Sequence, residues 1–192
     1  MSARDDLWIF GYGSLIWRPG FDYVERVPAR LVGMHRALCV YSFVHRGTPE
    51  RPGLVMGLDR GGACRGVAFR VAPALHEQTI DYLREREQVT GVYIETWRQV
   101  DLLEGSARRV RALAFGVDRG HAQYAGKLSL EEQLHLVRIG HGRSGANRDY
   151  VLSTVEALEA LGIRDHDLHA LAQSLKSAHD PETSRMAEPD EL

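Results

Sequence analysis

The chain has 192 residues, 44% hydrophobic and 26% charged, with 24 basic against 26 acidic side chains and a formal net charge of -2. That length suits a domain whose core needs no disulfide staples, and the near balance of charge gives no electrostatic ground for a nucleic-acid or membrane partner. Two cysteines, Cys39 and Cys64, lie outside any CxxC pair and read as reduced thiols. No apolar run approaches the ~20 residues of a membrane span, and the opening MSARDDLWIFGYGSL lacks the pattern of a signal peptide. A cytoplasmic protein is expected.

In chain order, Leu7 to Phe10 is a short apolar run punctuated by Gly11, Gly13 and Ser14, the pattern of a strand entering a tight loop. Residues 29–43 read as strand, and His45 to Gly53 as loop from its Gly and Pro content. Leu54 to Leu58 and Gly66 to Val71 read as two strands joined by a turn at Gly61-Gly62, an antiparallel hairpin. Pro73 opens a helix to about Gln88. Strands follow over Tyr93 to Leu103 and Val110 to Val117. Ser129 and Glu132 form a capping box ahead of the helical period of Leu130, Leu134 and Val137. Further helices are expected over about Arg148 to Leu161, stopping at Gly162, and over Asp167 to Ser177. The order predicts an α+β fold with a largely antiparallel, barrel-like sheet. One domain is expected over residues 1–180, with a polar, disordered tail over 181–192.

The first segment with chemical content is Gly11 to Pro19, GYGSLIWRP. Glycines there let the backbone approach a ligand, and successive N–H groups can cradle a carboxylate or an oxyanion. A plain strand-end turn would use the same residues. Neither GxxxxGK[ST] nor GxGxxG is present, since the third glycine of the latter would fall at Ile16. The second segment is the helix from Pro73. At ~100° per residue, Glu87 falls about 20° from Ile80 and about 40° from Leu83, so it shares their apolar stripe, whereas Glu85 points to water. Burial raises a carboxyl pKa, and a raised Glu suits general-base work near neutral pH. Arg84 at the edge of that stripe allows the alternative of an ion pair at the helix end.

Other candidates are weaker. His166 and His169 lack further metal-ligand partners, so no metal site is expected. Ser14 lacks the GxSxG context of a nucleophile elbow. GRSGANRDY, from Gly142 to Tyr150, leads into a helix whose N-terminus could bind an anion or could be capped by Ser144 or Asn147. Trp8, Trp17 and Trp97 read as core, and Arg108, Arg109 and Arg111 as a solvated face.

WIFGYGSLIWRPGF, HRGTPERPG, CRGVAFRV, YLREREQVTGVY and GRSGANRDY together, over residues 8 to about 150, resemble the ChaC family of glutathione-specific γ-glutamylcyclotransferases. The resemblance implies a barrel-like sheet with flanking helices in the γ-glutamylcyclotransferase manner. It also implies a substrate pocket lined by Ile9, Phe10, Gly11, Tyr12, Gly13, Ser14, Leu15 and Tyr150, and Glu87 as catalytic acid/base. One departure stands out: Gly91-Val92-Tyr93 replaces the family's usual Gly-Gly-Tyr after that Glu, which keeps Glu85 as a second candidate. The implied reaction cyclises the γ-glutamyl group of glutathione to 5-oxoproline and needs no metal, nucleotide or redox cofactor. The alternatives are another γ-glutamyl amine as substrate, or a non-catalytic glutathione-binding or transport-regulating protein.

Overall fold

The opening run forms β1 (Leu7–Gly11), buried at every residue. In this computed structural model, residues 6–87, 90–105 and 108–177 are described, and the tail expected over 181–192 lies outside them. β2 (Glu25–Ser42) starts earlier than the apolar pattern suggests and runs through Pro28. Pro28 lies just before Ala29–Leu31, the stretch that pairs with a second neighbour, so its missing N–H falls where the ladder has one partner fewer.

The hairpin expected around Gly61-Gly62 does not form. Gly53 to Val71 is one continuous strand, β3, of 19 residues, antiparallel to β2 along its length and to β1 over Val67–Val71. Gly61 and Gly62, both at positive φ, lie opposite the single Gly33, also at positive φ. Two residues facing one is a β-bulge, which bends and twists the strand pair without reversing the chain. Past it the ribbon curls over the end of β5 (Arg108–Val117), with Met34 against Gly116 and Val117 against Gly57.

β4 (Tyr93–Leu102) pairs antiparallel with both β2 and β5. A short parallel pairing, Trp8 to Ala112 and Ile9 to Leu113, closes the barrel in the order β1-β3-β2-β4-β5. The α+β, largely antiparallel barrel is as expected. A 3-10 turn at Pro73–Leu75 leads into α1 (His76–Glu87). The capping box of Ser129 and Glu132 is present at the start of α2 (Leu130–Ile139), with the Glu132 carboxylate accepting from Ser129 N–H at 2.7 Å. Two-residue strands β6 (His141–Gly142) and β7 (Gly145–Ala146) precede α3 (Asn147–Ala160), and α4 (His166–Ser177) follows. Among the described residues no helix is long and apolar enough to cross a membrane. Cys39 and Cys64 are free and buried.

Two further expectations change. Trp97 is on the surface, 41% exposed, with the Arg111 guanidinium 5.0 Å from its ring. Neither Ser144 nor Asn147 caps α3, whose N-cap is Ala146. Asn147 is instead fully buried and acts as a strand partner for β3. Its Oδ1 accepts from Leu54 N–H and its Nδ2 donates to Leu54 C=O, each at 2.7 Å. Asn147→Ala strands both groups of a buried residue, at about 1–3 kcal/mol each. The variant is expected to lose about 3 kcal/mol in urea denaturation, and a loss below about 1 kcal/mol would contradict this role.

Candidate active site

β1 leaves the sheet at Gly11, and the next residues form a 3-10 turn over Ser14–Ile16. Tyr12, Gly13, Ser14 and Leu15 line one wall of a cavity of about 350 Å³, a volume at the small end of ligand sites (~300–1,000 Å³). Bare Gly13 keeps that wall open, since a Cβ there would lie 3.3 Å from Met56 Cβ and 3.7 Å from the Tyr150 hydroxyl. The first N–H groups of such a turn have no carbonyl within it to bond. Ile9, Phe10 and Gly11, expected on the pocket, are not among its lining residues. Ile9 and Phe10 are fully buried in the core, and Gly11 is packed against Leu15 and Phe69.

The facing wall is the end of α1. Thr79, Leu83, Arg86 and Glu87 follow the i, i+4, i+7, i+8 spacing of one helix face. The first two are buried, and Arg86 and Glu87 reach the cavity with side chains 19% and 17% exposed. Glu85 is exposed and does not line the cavity. Arg84 turns outward to Glu95 at 2.6 Å, so the ion pair expected at the helix end is made to Glu87 by Arg86 instead. Burial pushes the Glu87 carboxyl above its ordinary value, with the Arg86 guanidinium opposing it.

Arg86 is the residue the sequence does not single out. Its Nε lies 3.2 Å from Glu87 Oε1. Nη2 donates to Ser14 Oγ at 2.9 Å, and Nη1 to Tyr82 Oη at 2.9 Å and to the carbonyls of Arg18 and Pro19 at 2.7 and 3.0 Å. One guanidinium therefore bridges the acid to the glycine loop. The same contact gives Ser14 a cation for a neighbour, which cannot serve a nucleophilic serine as base.

Three tyrosines complete the interior. Tyr12 Oη donates to Phe115 C=O at 2.8 Å and Tyr93 Oη to Met56 C=O at 2.7 Å, whereas Tyr150 Oη accepts from Met56 N–H at 3.0 Å and keeps its own proton. Burial above all, with the Glu87 charge contributing, raises all three phenols, Tyr150 to about 12. They stay protonated through the neutral range. Trp17, expected in the core, is half-buried on the wall with its ring 5.9 Å from that of Tyr150.

The outer rim comes from distant segments. Ser42, His45 and Arg46 meet Ser144 there. Arg143 and Ser144 donate backbone N–H groups to the carbonyls of Val44 and His45 at 2.9 and 3.0 Å. Burial and neighbouring guanidinium groups lower the His45 pKa. Arg46 lies 5.4 Å over the Tyr150 ring. In the sequence both HRGTPERPG and GRSGANRDY point to this rim, the second as a candidate anion site. The charged residues on the wall are thus Arg18, Arg46, Arg86 and Glu87, a set suited to an anionic ligand bearing one amine.

Residues 7–178 match the family model described as ChaC-like protein. The chain belongs to this family. It is 38% identical over 179 residues to the glutathione-specific gamma-glutamylcyclotransferase of Escherichia coli (strain K12), covering 92% of this chain and 77% of that protein. It is 32% identical to gamma-glutamylcyclotransferase 2-3 of Arabidopsis thaliana, covering 88% of each. A crystal structure of a γ-glutamyl cyclotransferase specific to glutathione from yeast superposes with a TM-score of 0.83 at 23% identity, covering 90% of this chain and 96% of that one. That likeness establishes the γ-glutamylcyclotransferase fold for this ChaC-like chain.

A carboxyl whose folded-state pKa lies above its unfolded value favours the folded state when protonated, and that stability is lost as pH rises through the folded pKa. Glu87→Gln is therefore expected to melt at a higher temperature than wild type at pH 8. The difference should vanish near pH 4, below the ordinary value of 4.5. A variant less stable than wild type at pH 8 would show that Arg86, not burial, dominates at this carboxylate.

Proposed function

We propose that this ChaC-like chain cleaves glutathione to 5-oxoproline and cysteinyl-glycine, with Glu87 as the acid/base. The observation that carries the reading is the placement of a half-buried carboxylate across one cavity from the amide-rich loop Tyr12–Leu15. The substrate itself supplies both reactants, the α-amine and the γ-carbonyl. Ring closure is intramolecular, so holding the folded-back conformer contributes much of the rate. Glu87 takes a proton from the α-ammonium group, and the freed nitrogen attacks the γ-carbonyl carbon. The carbonyl oxygen becomes an oxyanion, held by N–H groups of the loop, where one well-placed donor is worth ~3 kcal/mol. The bond to the cysteinyl nitrogen then breaks as Glu87 returns the proton to that nitrogen, and the second proton of the attacking nitrogen passes by the same carboxylate to the released amine, which leaves a neutral lactam and a cysteinyl-glycine ammonium.

The remaining wall fits this ligand. Glutathione carries two carboxylates and one ammonium, against three guanidinium groups and one carboxylate. Tyr150, whose hydroxyl proton is not spent on Met56, is a donor for the glutamyl end. Ile9, Phe10 and Gly11 serve the reaction by fixing where the loop leaves the barrel. The names of the relatives from Escherichia coli and yeast support glutathione over other γ-glutamyl amines.

Pure protein incubated with reduced glutathione is expected to release 5-oxoproline and cysteinyl-glycine in equal amounts. The acid limb of kcat/KM should lie above the ordinary glutamate value of 4.5, because the base must be ionised. Glu87→Gln should lower kcat by about 10³-fold with the fold intact. Near-normal turnover by that variant would remove Glu87 from the reaction, and equal turnover of γ-glutamyl-alanine would remove the specificity.

A further inference from the structure

A buried charged group that the proposed reaction leaves unused is Arg36, in β2. Its side chain is 4% exposed, and it does not line the cavity. A buried guanidinium is costly unless its donors are satisfied, and here they are. Nε donates to Tyr12 C=O at 2.5 Å, Nη2 to Arg65 C=O at 2.5 Å, and Nη1 to Asp165 Oδ2 at 3.3 Å.

The position of these acceptors matters. The β1/β3 ladder ends at Gly11 opposite Val67. Tyr12 and Arg65 are the residues one and two steps beyond, where the two strands part and their backbone groups lose each other as partners. Arg36 fills that wedge. The described peptide bonds are all trans, and across a trans peptide the C=O and N–H point in opposite directions. The Tyr12 carbonyl is fixed toward Arg36, outside the cavity, so the Gly13 N–H of the same peptide points away from Arg36. Gly13 itself lines the cavity. The Tyr12 ring is pinned at its far end by the bond to Phe115, which holds the residue in place but leaves the plane of the following peptide to be set by Arg36.

We infer that Arg36 is a positioning residue for the reaction: by holding the Tyr12 carbonyl outward it sets the polarity of the Tyr12–Gly13 peptide, so that an amide rather than a carbonyl faces the substrate's developing oxyanion. The inference rests on the reading of the loop as the oxyanion site. Without the guanidinium, a rotation of one peptide plane would present a carbonyl oxygen to that oxyanion and replace attraction by repulsion.

Arg36→Met and Arg36→Lys are compared with wild type and Glu87→Gln, using reduced glutathione and measuring kcat per folded molecule, with the folded fraction from circular dichroism. An oxyanion donor acts in the transition state, so kcat should fall while KM changes less than threefold. A fall of about 10²-fold is expected for Arg36→Met. Arg36→Lys, whose ammonium reaches one carbonyl, should fall between that variant and wild type, and it decides the matter if the Met variant does not fold. The acid limb of kcat/KM should stay at its wild-type position, since Glu87 is untouched. The inference is overturned if kcat per folded molecule stays within threefold of wild type, if the loss is in KM alone, or if the acid limb moves. Absence of 5-oxoproline with wild type, or an active Glu87→Gln, would instead overturn the proposed function itself.

Discussion

The constraint on which the site depends is the parting of β1 and β3 after Gly11. Up to that point the backbone groups of β1 are shared between β3 and β5. Beyond it the chain turns out of the sheet, and each unpaired polar group must find a partner or remain costly. Two arginines from unrelated elements supply those partners. Arg36, in β2, takes the Tyr12 carbonyl on one side, and Arg86, in α1, takes Ser14 and the carbonyls of Arg18 and Pro19 on the other. Five donors in a planar fork allow one side chain to hold several acceptors at once. The loop is clamped at both shoulders, and its inner face is left for a ligand. In the proposed reaction an oxyanion site built this way would not have to reorganise as charge develops, which is the source of its advantage over water.

Electrostatics within the cavity follow from the same burial. Low polarity moves each titratable group toward its neutral form, so the phenols go up, the His45 imidazole goes down and the Glu87 carboxyl goes up. Of these, only the carboxyl moves toward the neutral range from a starting point below it. The tyrosines and the imidazole become fixed neutral hydrogen-bonding groups, and the exchangeable proton is left to Glu87. Arg86 tempers this. Its Nε lies against the carboxylate, but its other nitrogens are committed to the loop and Tyr82. A cation shared among several acceptors favours the ionised acid less than one devoted to it. For the role proposed for Glu87, too little support would leave the carboxyl protonated and unable to accept, and too much would leave a base too weak to take an ammonium proton.

Much of this was legible in the sequence, for reasons that particular residues make plain. The helical period put Glu87 on the buried face and Glu85 in water, because a surface helix repeats its environment every 3.6 residues. GYGSL announced a loop after a buried strand. The Gly61-Gly62 pair misled because glycine at positive φ serves a bulge as well as a turn, and only the facing Gly33, some thirty residues away, decides between them. Asn147 reads as a helix cap until Leu54, 93 residues away, is seen to bond it on both sides. Arg86 lies in the last turn of α1, where a basic residue is ordinary complement to the helix dipole. Arg36 sits on a strand of mixed burial with nothing in its neighbours to mark it. Trp97 reads as core on residue type, although it stands on an outer face. Local periodicity predicts which face is buried, and it is silent on what the facing partner will be.

The edge of β3 shows how the same solution serves both fold and chemistry. On one side Gly53–Met56 pairs with β2, and on the other no strand among the described residues continues the sheet. An open buried edge would leave carbonyl and N–H groups unpaired. Side chains take the place of the missing strand. Asn147 saturates Leu54, and two residues on, one strand period later, Met56 gives its N–H to Tyr150 and receives the hydroxyl proton of Tyr93 at its C=O. Asn147 and Tyr150 are three apart on α3 and so share a face, which lets one helical turn follow one strand repeat. The arrangement fixes the sense of each hydrogen bond. A backbone N–H can only donate, so Tyr150 must accept and is left with a free proton aimed from a buried ring, whereas Tyr93 must donate and has none to offer. The polarity of a strand edge thus decides which of two otherwise similar tyrosines keeps a proton to donate.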